Sequence, residues 1–222
     1  MSVTGRPTAV VVDYGAGNLV SIEQALVAAG AAVRRATTGD GIGEPELLVV
    51  PGVGAAAPAM DRLREGGFTK PITAWLAADR PFLGICLGLQ LLFEGSDEDG
   101  AATLGVLPGR TVRLEDAPTL PHIGWNQVER TRNHPAFEGI AQDADFYFVH
   151  SYVGSPAIAA GDTVLAETEH GARFVAAVAR GRLLGVQFHP ERSGDDGLRL
   201  VANVVALAAA ARGAVTPTGS AA

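Results

Sequence analysis

Pro81-Phe82-Leu83-Gly84-Ile85-Cys86-Leu87-Gly88-Leu89-Gln90 passes from a short apolar run through Gly-x-Cys-x-Gly into Leu89, Leu91, Leu92 and Phe93. This pattern predicts a buried strand, a sharp turn carrying Cys86, and a helix. The two glycines fit such a corner, because side chains flanking a nucleophile on a strained strand-to-helix turn would collide with closely packed backbone. Unpaired N–H groups and the dipole at the start of that helix would favour a thiolate. Taken alone, the stretch is equally compatible with a buried structural cysteine between two packing glycines.

Working outward, Ala9-Val10-Val11-Val12 is apolar throughout and ends at Asp13, as in a strand covered on both faces of a parallel sheet. Tyr14-Gly15-Ala16-Gly17-Asn18 leads into a helix with Leu19, Ile22, Ala25, Leu26 and Ala29 on one side and Gly30 closing it. Gly15-x-Gly17 hints at a dinucleotide loop, but Val20 stands where the third glycine belongs, so a rim-shaping loop is the better reading. Further strands are expected at Ala32 to Arg35 and Glu46 to Val50. The latter opens into Pro51-Gly52-Val53-Gly54, either a turn whose N–H groups point at a ligand or a plain tight turn. Helices are expected at Ala56 to Arg64 and Lys70 to Ala78.

Beyond the elbow the pattern turns strand-rich, with runs at Val106 to Leu114, Ile123 to Val128, Phe146 to Val149, Val164 to Thr168, Phe174 to Val178 and Leu183 to Phe188. Gly181 reads as the hairpin turn between the last two. A final helix spans Gly197 to Ala211, with Leu198, Val201, Val204, Val205 and Ala208 inward, and the residues after it read as a frayed tail. The fold class expected is α/β: an open, mostly parallel sheet flanked by helices, with antiparallel strands added in the C-terminal half. One domain covers residues 1–222, its ordered core at about 8–212 and its tail at 213–222.

Composition narrows the function. The chain has 222 residues, 47% of them hydrophobic, a net charge of −7 and one cysteine. No Lys/Arg block is dense enough to neutralise a row of phosphates, so nucleic acid is not an expected partner. A single cysteine excludes an internal disulfide and a multi-cysteine metal site, and fits a reducing compartment. The N-terminus lacks the apolar core of a signal peptide, and Leu198 to Ala211 is shorter than the roughly 20 residues that span a bilayer. A cytoplasmic protein without cofactor or metal is expected.

The last strand ends at His189-Pro190-Glu191, where alternation along the strand would place both side chains on one side of the sheet. Glu191 could then hold the His189 ring in one tautomer and stabilise its cation. Cys86 and His189 both fall at predicted carboxyl ends of strands, where open α/β sheets place their ligands. A cysteine, a histidine base and a carboxylate suit acyl transfer.

Gly84-Ile85-Cys86-Leu87-Gly88-Leu89-Gln90 with Val186-Gln187-Phe188-His189-Pro190-Glu191 resembles the class I (triad) glutamine amidotransferases. Asp13 to Asn18, Pro51 to Gly54, Pro121-His122-Ile123-Gly124-Trp125-Asn126, Phe146 to Tyr152 and His189 to Gly194 are similar, as a set, to the glutaminase subunits of imidazole glycerol phosphate synthases in histidine biosynthesis. The resemblance implies Cys86, His189 and Glu191 as catalytic triad, with backbone N–H groups of Gly52, Val53 and Leu87 forming the oxyanion site. It implies Gly54, Gln90, Glu98, Ser151 and Tyr152 as the grip on the substrate's amino-acid head. It places Asn18, His122, Trp125, Asn126 and Tyr147 at or near the interface with a (β/α)₈ cyclase, in a heterodimer that passes ammonia onward. Two departures from the family pattern are Ala55-Ala56-Ala57-Pro58 and Arg192, where lysine is frequent. The alternatives are a triad glutaminase serving pyridoxal phosphate or anthranilate synthesis, and a non-catalytic α/β module whose cysteine senses oxidants.

Overall fold

A computed structural model describes residues 5–158 and 162–213. Helix α1 (Leu19–Ala28) joins strands β1 (Thr8–Val12) and β2 (Ala32–Ala36), a 3₁₀ turn at Gly39–Ile42 leads to β3 (Leu47–Gly52), and helices α2 (Ala56–Glu65) and α3 (Thr69–Ala77) lead to β4 (Phe82–Cys86). A single helical turn, α4 (Leu87–Gln90), follows β4. Then come β5 (Gly95–Ser96), β6 (Gly109–Arg113), β7 (His122–Arg130), β8 (Ala144–His150), β9 (Tyr152–Pro156), β10 (Val164–His170), β11 (Ala172–Arg180), β12 (Leu183–Val186) and α5 (Gly194–Gly213).

Nine strands form one sheet in the order β2-β1-β3-β4-β12-β11-β10-β7-β8, and β5-β6-β9 form a smaller one. The first five of the nine pair in parallel, and the remaining pairs are antiparallel. This is the expected α/β class. Because side chains alternate along a strand and both faces are covered, β1 sends Ala9 and Val11 into a core with Ile22, Leu26 and Val201, and Val10 and Val12 into one with Met60, Leu63 and Ile72.

Several expectations are corrected. The helix after Cys86 is one turn long, and Leu91 to Phe93 turn away, their N–H groups bonding back to Leu87, Leu89 and Gln90 carbonyls. The strand expected from Val106 starts at Gly109, because the N–H groups of Val106 and Leu107 both bond to Leu92 O. The last strand stops at Val186, before Phe188. The last helix starts at Gly194 and turns Leu198 outward, 41% exposed, with Leu200 buried in its place. Strands β5 and β9 carry no alternation strong enough to announce them. The tail lies, beyond Gly213, outside the described residues.

Candidate active site

Parallel pairing assembles the site. Gly52 of β3 lies beside Cys86 of β4, and Ile85 beside Val186 of β12, so the segment following Val186 runs past the cysteine. Cys86 has φ 53° and ψ −108°, a strained backbone for a residue with a side chain, and the corner leaves no room for a second one nearby. A Cβ on Gly88 would lie 1.8 Å from Val50 O, and one on Gly84 2.7 Å from Gly88 O.

His189 does not continue a strand. It precedes a short 3₁₀ turn, Pro190–Arg192, and this turn, not strand alternation, brings Glu191 round to the ring. Glu191 Oε1 lies 2.8 Å from His189 Nδ1, in side chains only 2% and 7% exposed. The ring's mount is rigid: His189 N–H donates to Tyr147 O, and the Ser193 hydroxyl donates to His189 O. His189 Nε2 is buried with no hydrogen-bond partner among the described residues, as is Glu191 Oε2. Burial works against the imidazolium, but the Cys86 sulfur and the Glu191 carboxylate beside the ring outweigh it, and the pKa is pushed up to about 10.

A cavity of about 260 Å³ opens at Cys86, lined by Val53, Gly54, Gln90, Glu98, Pro121, Val149, His150, Ser151 and Tyr152. All five residues expected to grip the substrate's head therefore meet here. Burial, with Asp99 nearby, holds Glu98 above the usual carboxylate range. A larger cavity of about 480 Å³ lies at the opposite, amino edge of the sheet beneath α5, and none of the expected site residues lines it. No group of three or more His, Cys, Asp or Glu among the described residues could hold a metal ion.

The expected interface residues divide. Trp125 stands outward on β7, 57% exposed, with Tyr147 edge-on to it and the Arg192 guanidinium 4.5 Å over the Tyr147 ring; beside it Ile123, not among the residues expected there, is 60% exposed. Asn18 is exposed at the start of α1 and donates to Ser21 Oγ. His122 and Asn126 occupy the alternate, inward positions of β7, with His122 only 3% exposed and Asn126 half-buried.

Comparison with known proteins decides the family. The sequence model for "Glutamine amidotransferase class-I" matches residues 10–206. The imidazole glycerol phosphate synthase subunit HisH of Synechococcus sp. (strain JA-2-3B'a(2-13)) is 47% identical over 199 residues, covering 88% of this chain and 90% of that protein. HisH of Synechococcus elongatus is 46% identical over 215 residues, covering 95% and 98%. The chain belongs to the HisH family of class-I glutamine amidotransferases. Among solved structures, PurLQS from Thermotoga maritima superposes with a TM-score of 0.74 at 18% identity, covering 91% of this chain and 99% of that one, a likeness of fold.

In this HisH-family chain three polar residues escaped the sequence reading. Gln187, fully buried, directs Nε2 at Cys86 Sγ, 3.6 Å away. The Tyr14 hydroxyl donates to Pro51 O at 2.9 Å and sits where a Cβ on Gly52 would be, 2.2 Å away; burial and then the Cys86 sulfur hold its phenol above the ordinary range. His150 Nδ1 lies 3.1 Å from Tyr152 O, and its Nε2 lies 3.2 Å from His122 Nδ1. A carbonyl accepts only, so each imidazole carries its proton on Nδ1. Burial first, then neighbouring rings, depresses both, His150 to about 3 and His122 to about 4. All three lie within motifs read from the sequence, Tyr14 in Asp13 to Asn18, His150 in Phe146 to Tyr152 and Gln187 in Val186 to Glu191, but none was given a site role there. The role of Gln187 depends on β4 lying against β12.

Proposed function

We propose that the chain hydrolyses glutamine to glutamate and ammonia and delivers the ammonia to a cyclase subunit of imidazole glycerol phosphate synthase, a (β/α)₈ barrel, in the cytoplasm. The observation that carries the reading is the strained Cys86 corner beside a His189–Glu191 pair whose Nε2 is free. The Cys86 thiolate attacks the side-chain amide carbon, and the C=O electrons move onto oxygen, which backbone N–H groups of Leu87 and the Gly52-Val53 turn receive. His189 protonates the nitrogen as the C–N bond breaks, releasing ammonia and leaving a thioester. It then takes a proton from water, whose oxygen displaces the sulfur to give glutamate.

Ammonia released into water is largely protonated and loses its nucleophilicity, so it is useful only when passed on under cover. The cyclase would consume it on a phosphoribosyl-formimino intermediate, forming imidazole glycerol phosphate and an aminoimidazole carboxamide ribotide. Ile123, Trp125 and Tyr147, with Asn18 on the rim, supply an apolar, aromatic docking face. The expected single domain, 1–222, acts as one subunit of a heterodimer.

The test is glutamate formation with and without the cyclase subunit of an imidazole glycerol phosphate synthase and its nucleotide substrate. Turnover is expected to rise at least about tenfold in the complex, since partner binding completes the oxyanion site. Cys86→Ala should abolish it in both. Glutamine hydrolysis by the alanine variant would remove Cys86 as nucleophile.

A further inference from the structure

Gln90 sits in the glutamine cavity, yet both hydrogens of its amide nitrogen are already engaged. One goes to Tyr152 O at 2.8 Å, the other to Gln187 Oε1 at 3.1 Å. A backbone carbonyl can only accept, so Tyr152 fixes which end of the Gln90 amide is nitrogen. Gln90 must then donate to Gln187, which must offer its oxygen. The nitrogen of Gln187 is consequently committed to the other side, where it meets Cys86 Sγ at 3.6 Å. The Gln90 oxygen makes no hydrogen bond among the described residues and is left for the cavity.

We propose that Gln187 is a further catalytic residue: a polarity-locked donor that stabilises the Cys86 sulfur as an anion. The donor acts both when the thiolate forms and when the thioester is hydrolysed and the sulfur departs with the electron pair. Fully buried, Gln187 has no water to turn toward, so its amide is held ready without reorganisation. The same lock makes Gln90 an acceptor toward the substrate, matched to an ammonium and not to a carboxylate. This deepens the glutaminase reading and rests on it for the substrate, but the effect on the sulfur can be measured without any substrate.

Iodoacetamide alkylation of Cys86 in the full-length chain is the assay. Gln187→Met keeps the volume and removes the amide. At neutral pH it is expected to slow alkylation about tenfold, the scale of a hydrogen bond to a charged group. In alkaline buffer, where the thiol is ionised in both proteins, the difference should vanish; altered access would leave it in place. Gln90→Leu, which does not touch the sulfur, should also slow the neutral reaction several-fold because it unlocks Gln187, and it preserves the test if the first variant fails to fold. Alkylation of folded Gln187→Met at the wild-type rate, or a difference that persists at alkaline pH, would overturn the assignment. Separately, a wild-type complex that leaves glutamine intact would defeat the glutaminase reading while leaving the alkylation result standing.

Discussion

At Gly88 the corner that presents Cys86 depends on the absence of a single methyl group. A Cβ there would lie 1.8 Å from the Val50 carbonyl oxygen, a contact with backbone that no rotamer can relieve. Gly88→Ala must therefore separate β3 from the turn after β4, and should cost about 3 kcal/mol or more, read as a lowered urea midpoint. Alkylation of Cys86 should change in rate at the same time, since that packing helps maintain the strained φ. The need for glycine at 84 was legible from the local chain, because a Cβ there would meet the nearby Gly88 carbonyl; at 88 the sequence showed the motif but not its cause, which is Val50 on β3. Gln187 and Tyr14 were not legible as site residues. Each acts on a strand distant in sequence, and only the register of β12 on β4 and of β1 on β3 brings them there.

Elements show the same division between local and distant causes. The apolar runs of β1, β3 and β4 identify themselves because both faces are buried, whereas the length of α4 is set by Leu104, Val106 and Leu107, whose N–H groups claim the Leu91 and Leu92 carbonyls. One turn of helix has little dipole, so the anionic sulfur depends on its neighbours more than the sequence suggested. In β7 the pleat decides which motif residues face out. His122 and Asn126 support the hairpin from within, while Ile123 and Trp125 are free to meet a partner. Trp125→Ala should weaken association with the cyclase by about 2 kcal/mol, or roughly thirtyfold, in isothermal titration. Since Trp125 is 57% exposed, the unfolding free energy of the isolated chain, from urea titration, should stay within about 0.5 kcal/mol of wild type.

Across the whole molecule, buried imidazoles oppose one another in their response to pH. His122 and His150 are held neutral, at about 4 and about 3, so from the ordinary 6.5 downward the unfolded chain takes up protons that the folded chain refuses. Their contribution is intact above about 6.5 and is lost as pH falls toward the folded values. His189 behaves in the opposite sense: raised to about 10, it keeps a proton that the unfolded chain releases, so its contribution is intact below about 6.5 and is lost as pH rises through the folded value. Stability should consequently peak near neutrality, with a decline of several kcal/mol on the acid side by about pH 4. Variants can separate the two limbs in urea titrations. His122→Phe, which keeps the stack on Phe148 and His170, should flatten the acid limb and leave the alkaline one. Glu191→Gln should flatten the alkaline limb, because the imidazolium loses the carboxylate at 2.8 Å that helps hold its proton. An alkaline limb unchanged by that substitution would mean that the Cys86 sulfur alone keeps His189 charged.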